Sequence, residues 1–117
     1  MGQAESFPEV NSSSAFEVKI NRTSATRGSS IALQKGSLFT LFLYCKRYRN
    51  TYAHLSLDGI VAKRRYFVDD DGATIDVDPS KHFNQTLLRP GNHTLRVTFA
   101  TKNGTVLDVI EADLLVN

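Results

Sequence analysis

The sequence predicts an all-β protein, a two-sheet sandwich of about seven to eight antiparallel strands. The first observation is the last quarter of the chain, Leu88 to Val116, which reads as a hairpin. A Pro90-Gly91 corner feeds a strand in which Leu95, Val97 and Phe99 alternate with Thr94, Arg96 and Thr98. Asn103-Gly104 makes the turn, and a second strand carries Ile110, Ala112, Leu114 and Val116. Asn-Gly suits a type I′ turn, whose two central residues both take positive φ. The second observation is that each strand has one apolar face, so a second layer must cover it. The third is that turn signals recur about every ten residues from Phe16 onward, the spacing of a sandwich.

Taken in order, residues 1–14 hold Gly, Pro, Glu and serines without periodicity and read as a flexible leader; the domain is 15–117. Phe16, Val18 and Ile20 alternate with polar neighbours and make the first strand. Arg27-Gly28-Ser29-Ser30 breaks it, and Ile31-Ala32-Leu33 is a short piece placed to switch sheets. Lys35-Gly36 turns into the core strand, Ser37 to Cys45, where Phe39, Leu41, Leu43 and Cys45 share one face. Leu38, Phe42 and Tyr44 lie opposite; exposed, they predict a dimer. Ala53, Leu55 and Leu57 mark the next strand, Asp58-Gly59 a hairpin turn, and Ile60 to Val68 the return. Asp69 to Gly72 turns again, Thr74 to Val77 is a short strand, and Pro79 to Leu88 is a crossover with one helical turn at Ser80 to Phe83.

Bulk properties bound the rest. A chain of 117 residues is one domain with a real core. With 41% apolar and 22% charged residues the composition is that of a globular protein. A net charge of +2 does not argue for nucleic acid. No apolar run is long enough to span a membrane as a helix, and Met1 to Asn11 lacks the basic start and apolar core of a secretory signal. A single cysteine, Cys45, excludes an internal disulfide, and tryptophan is absent. Alternation points the Cys45 thiol inward.

The run Leu55-Ser-Leu57-Asp58-Gly59, then Asp71-Gly72, then Leu88-Arg-Pro90-Gly91-Asn-His93-Thr94-Leu95, then Gly104 and a closing apolar strand, resembles bacterial-type immunoglobulin-like (Big-like) domains. The resemblance covers about residues 50–117. It implies an immunoglobulin-like sandwich and a repeat module of surface adhesins, secreted enzymes or phage structural proteins. Such modules usually come in tandem, whereas this chain holds one and shows no internal repeat. The expected function is a non-catalytic module of the cell surface or secreted milieu, for adhesion, protein interaction or structural spacing.

Several residue sets could carry a partner. Lys46-Arg47-Tyr48-Arg49, with Tyr52, and Lys63-Arg64-Arg65-Tyr66 interleave cations with aromatic rings. Brought to one end of the sandwich they would suit a sulfated glycan or another acidic group, with Arg stacking on Tyr. The plainer reading is a solvated strand face with Lys guarding an edge. This supports one alternative, a carbohydrate- or sulfated-glycan-binding module with Tyr48, Tyr52 and Tyr66 as stackers. A second alternative is a protease inhibitor presenting the loops Arg49 to Tyr52, Asp69 to Gly72 and Lys102 to Thr105. Five asparagines lie in N-x-S/T sequons, Asn11, Asn21, Asn84, Asn92 and Asn103, the mark of a glycoprotein if the chain is exported. Against export, Met1-Gly2-Gln3-Ala4-Glu5-Ser6 matches the N-myristoylation pattern at Gly2, which would make a cytoplasmic protein of the inner membrane face. Asp69, Asp71 and Asp76 are calcium candidates, but an EF-hand register ending at Gly72 would put Phe67 at the first ligand position. A turn capped by aspartates and drawn to Lys63 to Arg65 is simpler.

Catalysis is not expected. His54, His82 and His93 form no metal-type pair, and neither a nucleophile elbow nor a glycine-rich phosphate loop is present. His93 is expected to hydrogen-bond the Pro90-Gly91 corner.

Overall fold

The structure, a computed structural model, describes residues 15–25, 29–33, 39–46, 50–69, 71–83 and 89–116. The leader with Gly2 and Asn11, as well as Leu38, Arg47, Tyr48, Arg49, Asp70 and Asn84, lies outside the described residues. In chain order the elements are β1 (Phe16–Ile20), β2 (Thr23–Ala25), β3 (Ser29–Leu33), β4 (Phe39–Cys45) and β5 (Thr51–Leu57). There follow β6 (Ile60–Val61), β7 (Tyr66–Val68), β8 (Ala73–Val77), one helical turn α1 (Pro79–His82), β9 (Gly91–Thr101) and β10 (Val106–Val116).

These elements form the expected all-β sandwich. One sheet runs β2-β1-β4-β8, and the other runs β3-β10-β9-β5-β6 with β7 also on β5. The chain crosses between the two sheets at β2–β3, β3–β4, β4–β5, β7–β8 and β8–β9. Ile31-Ala32-Leu33 does switch sheets: β3 joins β10 in the larger sheet. That pairing is parallel, so the expectation of an all-antiparallel fold is corrected at this one edge.

The described residues form ten strands where seven or eight are expected, for two local reasons. First, Ile20 pairs with Thr23, so Asn21-Arg22 is a two-residue hairpin loop, with φ of 49° and 72°. The sequence shows no Gly there, and the hairpin escaped the pattern. Second, the return from Asp58-Gly59 is two short strands. Ser56 faces Val61 and Ala53 faces Tyr66, so the four residues 62–65 stand opposite the two residues His54 and Leu55. The surplus forces a bulge.

Two turns can be compared directly. Asp58 and Gly59 both take positive φ, 52° and 82°, as a type I′ hairpin demands. At the β9–β10 turn only Gly104 does, at 94°. Gly104 N–H donates to the Thr101 carbonyl and Thr101 N–H to the Thr105 carbonyl, a type I turn closed by a left-handed glycine. The expected type I′ conformation at Asn103 is therefore corrected; the turn holds one residue more.

The core sits between the sheets and follows the alternation. Val18, Ile20, Leu41 and Leu43 of the small sheet and Leu55, Leu57, Val97, Phe99 and Leu114 of the large one are buried. The Phe16 and Phe99 rings, 4.7 Å apart, tie the two layers. Each such side chain is worth about 1.5–3 kcal/mol of transfer free energy. Cys45 is buried as expected, its Sγ 3.7 Å from the Thr51 hydroxyl.

Candidate functional site

The β6–β7 bulge throws Lys63, Arg64 and Arg65 outward, and all three are exposed. It is not loose. Ala62 is buried, with its N–H on the Leu55 carbonyl, and Lys63 N–H donates to the His82 carbonyl. This last bond brings α1 beside the bulge. Together they line a shallow pocket of about 340 Å³ formed by Lys63, Arg64, Tyr66, Lys81 and His82. Three of the five are permanent cations and none is a carboxylate.

The aromatic members are fixed in place. The Arg64 guanidinium lies 5.4 Å from the centre of the Tyr66 ring, and the His82 ring is 6.3 Å away on its own side. The Tyr66 hydroxyl is buried without a hydrogen-bond partner among the described residues. Burial pushes the phenol above its usual range and Arg64 draws it part of the way back, so the group is a neutral O–H donor. The His82 Nδ1 lies 3.0 Å from both the N–H and the carbonyl of Asp78, which ties the ring to the start of α1. With three cations and no carboxylate in its lining, the pocket suits an acidic group.

Arg65, expected in the same set, has a different task. It lies 4.0 Å above the Tyr52 ring and donates to the Lys102 carbonyl at 3.1 Å. Tyr52 in turn meets Phe67 edge-on at 5.4 Å. Arg65 and Tyr52 therefore brace the β9–β10 turn. Lys46 is exposed just beyond β4, its N–H on the Ala15 carbonyl, and does not line the pocket. Lys81 and His82 are the members the sequence reading missed. They lie some fifteen residues beyond the basic run, within the crossover, and only the fold brings them back.

The remaining candidates separate clearly. Asp69 caps its own turn: its Oδ1 accepts from Asp71 N–H and its carbonyl from Gly72 N–H, both at 3.0 Å. Asp76 on β8 accepts from the Thr40 hydroxyl at 3.0 Å. Among the described residues no three potential metal ligands cluster, and no ion pair joins Asp69 or Asp71 to Lys63, Arg64 or Arg65. The turn is held by its own hydrogen bonds, from the backbone N–H groups of Asp71 and Gly72 to the Asp69 carboxylate and carbonyl. Sequon residues Asn21, Asn92 and Asn103 are exposed.

His93 does bond the Pro90-Gly91 corner, its Nε2 donating to the Arg89 carbonyl at 2.7 Å. Its Nδ1 lies 2.6 Å from Asp58 Oδ2, a partner not foreseen. Asp58 Oδ1 also accepts from Thr94 N–H at 2.8 Å. Burial opposes the charged ring, but the Arg89 carbonyl and the Asp58 carboxylate outweigh it and raise the His93 pKa above its ordinary 6.5. Both ring partners are acceptors, which is the setting of an imidazolium.

Compared with protein-family models, with curated proteins and with solved structures, the chain matches none.

Proposed function

We propose that the protein is a non-catalytic immunoglobulin-like binding module that engages an acidic partner through the ledge of Lys63, Arg64 and Lys81. The observation that carries this reading is a pocket whose lining has three permanent cations, an aromatic floor and no carboxylate. Desolvated on one side by the sheet, such a cluster attracts anionic groups more strongly than scattered surface lysines do. The three exposed sequon asparagines favour work at a cell surface or in the secreted milieu, where sulfated glycans and acidic protein surfaces supply such groups. Adhesion is the role that fits a sandwich presenting such a charged ledge.

The test is retention on immobilised heparin, used as a polyanion probe. Wild type should be retained and should elute with added salt, as screening weakens the contact. The Lys63→Ala/Arg64→Ala/Lys81→Ala variant should elute at clearly lower salt than wild type while keeping its β-sheet circular dichroism. Equal retention of the folded variant would remove the ledge as the binding surface.

A further inference from the structure

A second surface lies on the outer face of the small sheet and shares no lining residue with the ledge. Here Lys19 stands opposite Phe42, and Phe42 opposite Thr74, in one row across β1, β4 and β8. With Asn21, Arg22 and Thr40 they line an open groove of about 700 Å³, within the range of small-ligand sites.

Two local features shape this groove at the expense of easier choices. The first is Arg22. It occupies the second position of the hairpin loop at φ 72°, where Gly is the unstrained residue and a side chain is disfavoured. The loop is stapled to β4, for Asn21 N–H donates to the Thr40 carbonyl and Thr40 N–H to Asn21 Oδ1, both at 2.9 Å. Arg22 is thus held at the groove rim by a strained but fixed backbone, and strain retained at a surface points to use. The second is Gly72, at φ 87°. A Cβ there would fall 2.8 Å from the Leu43 carbonyl and from the edge of the Phe42 ring. Phe42 is wedged against this glycine, and its ring lies 6.2 Å from that of Tyr44 and within 13° of parallel to it.

We infer that this groove binds an acidic saccharide, with a sugar ring against Phe42 and a carboxylate or sulfate between Lys19 and Arg22. Among the described residues neither cation is in a tight pair: Lys19 is 3.9 Å from Glu17, with both side chains well exposed. The nearby Asp76 carboxylate is turned onto the Thr40 hydroxyl. Thr74 lines the groove and offers its hydroxyl to sugar oxygens. An extended peptide fits less well, because this is a sheet face, where the backbone groups of β1 and β4 are already paired.

The experiment uses 15N-labelled protein made without glycosylation, titrated with a heparin-derived tetrasaccharide and with its desulfated, carboxyl-reduced form. The acidic sugar should shift amide signals of β4 and Thr74. Arg22→Gly should melt a few degrees higher, since it relieves the turn, yet bind about tenfold more weakly, the loss of one charge-assisted contact. Phe42→Leu should weaken binding with the charge unchanged. Shifts confined to residues 63–66 and 81–82 would overturn this inference while supporting the ledge. Unaltered binding by Arg22→Gly, equal affinity for the neutral sugar, or no binding by wild type would each overturn it as well.

Discussion

At the scale of single residues, His93 is the group with the clearest chemistry. Its ring bridges the Asp58 carboxylate at 2.6 Å and the Arg89 carbonyl at 2.7 Å, and its side chain is only 14% exposed. A neutral imidazole can donate to one of these acceptors but not to both. The raised pKa is therefore a source of stability that is complete below the unfolded value near 6.5 and is lost as pH rises through the folded value. At pH 5.5, His93→Gln should cost about 1–2 kcal/mol, the scale of a hydrogen bond to a charged group. By pH 9 the gap should narrow, as followed by urea unfolding across the pH range. A gap constant with pH would show that the ring acts by packing alone. The Arg96–Glu111 pair is a useful contrast, since at 2.5 Å it is short but its side chains are 56% and 40% exposed. Its removal should cost under about 1 kcal/mol.

At the scale of elements, turn chemistry decides what was legible. Asp58-Gly59 could be read directly, because that dipeptide supplies the two positive φ values its turn needs. Asn21-Arg22 reaches the same backbone without a glycine, so neither its turn nor β2 could be seen in the pattern. Asn103-Gly104 misled by one residue, since the same dipeptide also fits a type I turn ending in a left-handed glycine. The β6–β7 bulge has no local signature at all; it arises from pairing with β5 and from the tie to α1. The two glycines at 59 and 72 offer a graded test. Gly59 has open space where a Cβ would go, so Gly59→Ala should cost about 1 kcal/mol for its φ alone. Gly72→Ala adds a clash with the Leu43 carbonyl and Phe42 and should cost about 2–4 kcal/mol. Equal losses in thermal unfolding would show that Phe42 does not rest on Gly72.

At the scale of the whole molecule, period-two alternation carried most of the fold. Every inward position read from Phe16, Val18, Ile20, Phe39, Leu41, Leu43 and Cys45 is buried, as are those of the terminal hairpin from Leu95 to Phe99. Leu41, fully buried in the central strand of its sheet, is where truncation should matter most: Leu41→Ala should cost about 2–5 kcal/mol in denaturant unfolding. The site was half legible. The cationic run could be read, but which of its members face solvent together could not. That depends on the bulge, which commits Arg65 to Tyr52 and turns Lys63 and Arg64 toward Lys81.

The central claim is that binding resides in this ledge and not in the small overall positive charge. Two double variants test it: Lys63→Ala/Arg64→Ala in the ledge, and Arg89→Ala/Lys102→Ala at exposed positions outside it. Each takes the formal net charge from +2 to 0. The measurement is the salt concentration at which each elutes from immobilised heparin. The ledge variant should elute far earlier than wild type, and its charge-matched counterpart close to wild type. Equal losses in both would contradict the account and reduce the binding to net charge.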